Sequence, residues 1–160
     1  LARCGGLSSV KVVSIFEPTM EGHRTILFFT PLIAAMAGNV GVQSSAIVVQ
    51  GLANNSLNGS LWNRLLKELS LSLLNGSILA AILILGSHFL LGYPFIIGIT
   101  VSVALLTVIV IASLVGTFIP IILDKYGIDP ALATGPFITT SNDIMGIIIY
   151  FSIARLVLGI

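Results

Sequence analysis

One acidic residue stands inside a long apolar run. Asp143 lies 13 residues after Pro130 in a stretch, Pro130 to Ile160, whose only other charge is Arg155. If that stretch is one helix, Asp143 is about 20 Å along it, at 1.5 Å per residue, and near the middle of a bilayer. A carboxylate at that depth costs roughly 2.5–3.5 kcal/mol on insertion scales. Acids kept there mark ion or proton paths. The plainer alternative is a protonated Asp hydrogen-bonded between helices. Gly135-Pro136 precedes Asp143 by two turns and Thr139-Thr140 by one. Positions 135, 139 and 143 share one helical face, and a proline at 136 is expected to free a backbone carbonyl one turn earlier. Carboxylate, carbonyl and hydroxyl on one face make an all-oxygen environment. Hard cations such as Mg2+ and Ca2+ take such ligands, whereas zinc would want Cys or His. His23 and His88 sit at segment ends with no partner at ligand spacing, and Cys4 is alone.

A second polar face lies in the run from Pro31 to Ser45. Asn39 and Gln43 are i, i+4 neighbours, with Ala35 one turn earlier. Gly38 and Gly41 allow another backbone or a hydrated ion to come close. Packing of small residues accounts for Gly38, Gly41, Ser44 and Ser45 as well as a pore does. It accounts less well for two large amides on one face, which want water or partners.

The elements that must position these residues are membrane helices. Of 160 residues 56% are hydrophobic and 8% charged, with a mean hydropathy of +1.12. Soluble domains average about 25% charged residues, so this chain cannot clothe a solvated surface. A net charge of +1 offers no footprint for nucleic acid. Four apolar stretches run from about Thr25 to Leu52, Leu65 to Leu91, Tyr93 to Leu123 and Pro130 to Ile160. Each exceeds the ~20 residues that cross the hydrocarbon as a helix, and backbone groups in lipid must be satisfied within the segment. Between them lie the polar turn Asn54–Ser60, the turn Gly92-Tyr93-Pro94, and the connection Asp124–Pro130, whose two acids read as solvated or helix-capping. Leu7 to Phe16 reads as the end of a fifth spanning helix. With a cytoplasmic N-terminus, Arg3, Arg64, Lys67 and Lys125 fall inside, and Arg24 and Arg155 outside, with Lys11 assigned to neither side. That bias fits the positive-inside rule and puts the C-terminus outside.

One carboxylate per chain is too little for a dication. A two-fold dimer with Asp143 at its axis brings two. Mg2+ dehydrates reluctantly and keeps several waters, which suits one or two carboxylates with polar neighbours. A membrane potential would drive entry, and no phosphate-binding Gly-x-x-x-x-Gly-Lys loop is present.

Two segments carry a family resemblance. PLIAAMAGNVGVQSSAIVVQGLA (Pro31 to Ala53) holds a Gly-Asn-x-Gly-x-Gln core, and DPALATGPFITTSNDIMGIIIYFSIA (Asp129 to Ala154) a Gly-Pro-x-x-Thr-Thr-x-x-Asp core. Both resemble the signature segments of the MgtE family of magnesium channels or transporters, related to the solute carrier 41 group. The resemblance covers the chain after Ile15. It implies an all-α polytopic membrane bundle with five spanning helices per protomer, the first one short here, and a homodimer with one ion path at its interface. Residues 1–160 would form a single ion-conducting domain in a cell (inner) membrane. The family's cytoplasmic N-terminal and CBS regulatory domains are expected to be absent. The resemblance further implies that Asp143 is the central ion-binding residue, with Thr139, Gly135 and Asn39 contributing around a hydrated Mg2+. Ala35, Gly38, Gln43, Thr140 and Asn142 would line the path. Pro31–Ala35 and Pro136–Thr140 also echo one another, as inverted repeats would.

Three rival readings fit the same residues. Mn2+, Co2+ or Ca2+ would fit the same oxygen-rich face. An intramembrane aspartyl protease would need a second Asp within the spans, from a dimer partner. A membrane assembly subunit would use Asp143 only as interhelical glue.

Overall fold

A computed structural model describes residues 2–55 and 60–159. Five helices carry the fold: α1 (Ala2–Phe16), α2 (Thr30–Ala53), α3 (Leu61–Phe89), α4 (Phe95–Lys125) and α5 (Pro136–Leu158). Among the described residues there is no strand. A 3-10 segment, Glu17–Phe29, joins α1 to α2 and kinks at His23 (φ −135°, ψ 44°). Long 3-10 runs hold poorly, and this one is divided by that kink.

Four segments are long and apolar enough to cross a membrane: Gly22–Ala53, Leu61–Phe89, Phe95–Lys125 and Pro136–Leu158. This is a multi-pass helical membrane protein. The 31 residues of α4 extend about 46 Å, more than a perpendicular crossing of ~30 Å needs, so the helix is long enough to tilt. α4 is the hub and packs against α2, α3 and α5, while α1 lies on α5. The apolar core, which includes Ile33, Ala37, Val101, Leu105, Val108, Ile147 and Phe151, fills the space between α2, α4 and α5. On α3 the large side chains Leu71, Leu74, Ile78, Ile82 and Leu85 are exposed. An apolar stripe of that length suits lipid rather than water.

Small residues set the helix spacing. A Cβ on Gly116 would meet the carbonyl oxygen of Gly41, so α4 touches the α2 backbone there. Such close approach is how spanning helices gain packing where no hydrophobic drive operates between them. Tyr150, fully buried on α5, donates to the Ile26 carbonyl at 2.7 Å and ties the 3-10 segment to the bundle. Phe16 stacks on Phe151 at 5.2 Å, which seats α1.

The turns follow the expected chemistry. Ser60 caps α3 by accepting from the Trp62 amide at 3.3 Å, while residues 56–59 of the expected polar turn lie outside the described residues. At the α3–α4 turn Gly92 takes φ +68°, Pro94 opens α4, and the His88 ring lies 3.0 Å from the Tyr93 carbonyl. Asp129 caps the short 3-10 turn Pro130–Ala133 through the Ala131 amide at 2.9 Å.

One boundary corrects the expectation from Pro130. The fourth stretch is not a single helix, because Thr134 is extended and Gly135 takes φ +72°. Only glycine adopts that conformation readily. Helix α5 therefore begins at Pro136, with proline at a first-turn position where its missing donor costs nothing. The expected release of a helical carbonyl by Pro136 does not occur.

A polar groove between α2 and α5

α2 and α5 meet through small residues, and that contact places Asp143. A Cβ on Gly38 would strike Asp143 Oδ1 and come within 3.0 Å of Thr139 Cγ2. One on Gly146 would lie 2.8 Å from the Ala37 Cβ. Asp143 Oδ1 is buried here without a hydrogen-bond partner. The half-buried residue also borders an open groove of about 650 Å3. Asp143 is the eighth residue of α5, about 10 Å from the helix start. That is half the expected distance, because the helix starts at Pro136.

Thr139 stands one turn before it. Its amide bonds to the Gly135 carbonyl at 3.1 Å, and its hydroxyl donates to the same oxygen at 3.0 Å. With its proton committed, the hydroxyl presents only lone pairs to its other neighbours, which is what a cation or the donor side of a water requires. The Gly135 carbonyl already accepts two bonds.

Of the residues singled out by sequence, the structure brings Asp143, Thr139, Gly135, Thr140, Asn39 and Gln43 to this groove. It does not bring Ala35, Gly38 or Asn142 there. Ala35 is exposed beyond it. Gly38 is buried as the spacer behind the carboxylate. Asn142 is fully buried, its amide aimed at Gly41, with neither side-chain atom hydrogen-bonded. One residue along a helix turns the side chain by about 100°, so Asn142 enters the helix contact when Asp143 faces the groove.

Gly6 and Ser9 of α1 also line the groove, a contribution invisible in sequence because it depends on how α1 docks on α5. A second missed residue is Glu68, a carboxylate inside the α3 span whose Oε1 accepts from Ser44 Oγ at 2.6 Å. Its position three residues inside an apolar stretch was the available signal. Among the described residues no three His, Cys, Asp or Glu side chains gather as a metal cage.

Fold and groove together define a polytopic helical membrane protein with a lightly charged, oxygen-rich cleft along its spans. The sequence model of the MgtE family, described as divalent cation transporter, matches residues 30–153, and the chain belongs to that family. The protein named magnesium transporter MgtE from Bacillus subtilis is 37% identical over 150 residues, covering 93% of this chain and 33% of its own length. Its namesake from Thermus thermophilus is 34% identical over 154 residues, 96% of this chain and 34% of that protein. The Enterococcus faecalis namesake is 35% identical over 154 residues, 94% of this chain and 33% of that protein. The chain thus spans about a third of the length of the curated relatives it matches.

Proposed function

We propose that this chain forms the membrane pathway for a hydrated divalent cation, Mg2+ foremost, along the groove of Asp143. The observation that carries the reading is the grouping of one carboxylate, Asp143, with the Thr139 hydroxyl and the amides of Asn39 and Gln43 on one groove. Membership of a divalent cation transporter family supports it. So do three relatives named as magnesium transporters.

Size and ligand chemistry agree with a hydrated cargo. Six waters at about 30 Å3 each occupy ~180 Å3, well within the groove's volume of about 650 Å3. The donors are too few to replace a whole hydration shell, and Mg2+ gives up water reluctantly. Asp143 and Thr139 act on the ion through its waters or as single ligands, with Gly135 and Asn39 flanking them. A homodimer that faces two such grooves together supplies two Asp143 charges to one 2+ ion.

Orientation follows from the basic residues. Arg64, Lys67 and Lys125 gather at the face where α3 begins and α4 ends, and Arg24 and Arg155 at the other. The first face is cytoplasmic on the positive-inside rule, which places the N-terminus inside and the C-terminus outside. A negative interior then favours entry by about 4.6 kcal/mol per 100 mV for a dication. No chemical step on a substrate is required of this groove.

The test is Mg2+ and Ca2+ uptake into proteoliposomes, wild type against Asp143→Ala. Uptake that favours Mg2+ and falls at least tenfold in the variant is the expected outcome. Undiminished uptake by a folded Asp143→Ala protein would overturn the reading.

A further inference from the structure

α2 has polar surroundings on two sides. Away from Asp143, Gln43 and Ser44 look onto a second cavity of about 440 Å3 shared with α3 and α4. Its polar lining is Gln43, Ser44, Glu68, Ser72, Asn75 and Ser113, with no His, Cys, Lys or Arg. Glu68 is the eighth residue of α3, as Asp143 is of α5. Both helices start toward the face where α2 ends. Asp143 packs against Gly38, whereas Glu68 bonds Ser44, six residues further along α2, so Glu68 stands about 9 Å nearer that face. The two lie on opposite flanks of α2. Gln43 borders both cavities.

Helix packing alone explains little of this arrangement. Ser44 gives Glu68 one hydrogen bond, which a glutamine would accept equally without the cost of a carboxylate in a span. The remaining acceptor capacity of Glu68 goes unmatched by any ion pair among the described residues. Arg64 and Lys67 line a separate cavity nearer the bilayer face, which Glu68 borders from its other side. No Lys or Arg lines the cavity of about 440 Å3, so Glu68 meets it as a carboxylate among amides and hydroxyls. That donor set suits a hard cation that keeps its water, and six waters at about 30 Å3 each fit the volume.

We infer that Glu68, with Gln43 and Asn75, forms a second binding site for a hydrated divalent cation on the opposite flank of α2 from Asp143. The inference rests on the proposed handling of such ions by this chain. Gln43 belongs to both sites. Its side chain can turn to only one of them at a time, so an ion on one flank competes for it with an ion on the other.

Mn2+ serves as the spectroscopic stand-in, its binding to the purified full chain in detergent counted by electron paramagnetic resonance. Asp143→Asn is expected to leave one class of bound Mn2+. In that background Glu68→Gln, which keeps the Ser44 hydrogen bond and removes only the charge, weakens the remaining class at least tenfold. Glu68→Asp, which keeps the charge, restores much of it. Equal Mn2+ binding by Asp143→Asn with and without Glu68→Gln would overturn the inference and leave Glu68 as interhelical glue. So would loss of all Mn2+ in Asp143→Asn alone. The loss produced by Asp143→Asn against wild type judges the Asp143 reading separately.

Discussion

The same chemical change, glycine to alanine, should have opposite consequences at Gly38 and Gly86. Both glycines are helical, and alanine is favoured over glycine in a helix by about 0.8–1.0 kcal/mol. At Gly86 a Cβ meets nothing within 4 Å, so Gly86→Ala keeps that gain. At Gly38 the new methyl strikes Asp143 Oδ1 and stands 3.0 Å from Thr139 Cγ2, where carbon atoms prefer about 3.5–4.0 Å. Thr139 cannot swing aside without breaking its hydroxyl bond to Gly135. Either the Asp143 carboxylate rotates away or α2 and α5 separate by more than half an ångström. Overpacking of this kind costs about 1–3 kcal/mol, which offsets the helix gain and leaves a net loss of up to about 2 kcal/mol. For a chain of this size 1 kcal/mol moves the melting temperature by about 2–4 °C. Thermal unfolding in one detergent should therefore place Gly86→Ala above wild type and Gly38→Ala below it. Proteoliposome uptake should persist in Gly86→Ala and fall sharply in Gly38→Ala, whose carboxylate has moved. A Gly38→Ala protein as stable as Gly86→Ala, with wild-type uptake, would refute the idea that the α2–α5 contact sets the position of Asp143.

Three further outcomes are expected. Thr139→Val removes the hydroxyl that faces the groove and keeps the side-chain shape, so Mg2+ uptake should drop about tenfold, whereas Thr139→Ser retains it; equal uptake by both would exclude the hydroxyl from the path. Tyr150→Phe strands the buried Ile26 carbonyl, which now accepts at 2.7 Å, and should cost about 1–3 kcal/mol in thermal unfolding while uptake continues at a reduced temperature range. Single cysteines in a background lacking Cys4, placed at the exposed turn residues Tyr126 and Leu91, should label from opposite sides of a membrane, Tyr126 from the cytoplasmic side; labelling from one side by both would break the proposed topology.

Spanning segments were legible because run length and polarity are local properties. Each of the four apolar stretches contains a helix, and the polar punctuation between them is where the chain turns. Boundaries were less legible. Gly135-Pro136 announces a break without saying whether the helix lies before it or after, and the positive φ of Gly135 decided that. The face holding Thr139 and Asp143 could be read from spacing, as could Asn39 with Gln43. Which neighbour shares the groove could not, since Asn142 is one residue from Asp143 and is consumed by the contact with Gly41. The place of α1 depends on Phe16 stacking on Phe151, a pairing 135 positions apart that no periodicity reveals. Glu68 was hidden by its company, because Arg64 and Lys67 beside it make the segment look like a solvated helix end. Only the start of α3 at Leu61 carries Glu68 to its second turn.

The buried amide of Asn142 follows from the same geometry that serves Asp143. To bring a carboxylate to the α2 surface, α5 must approach a stretch where α2 has no side chains, and Gly38 and Gly41 supply it. Two consecutive polar residues then meet α2, one at each glycine. Asp143 keeps an edge on the groove, while Asn142 is sealed at Gly41 with its polar atoms unmet. An unpaired buried amide costs about 1–3 kcal/mol, a burden an apolar residue would not impose. Gly116 closes on the other side of Gly41, so α2 is held between α4 and α5 at one level. Asn39 and Gln43 flank Gly41 on α2, so their place in the groove is set by the same contact. On the proposed reading, ion discrimination depends on how firmly this three-helix contact holds two amides opposite one carboxylate.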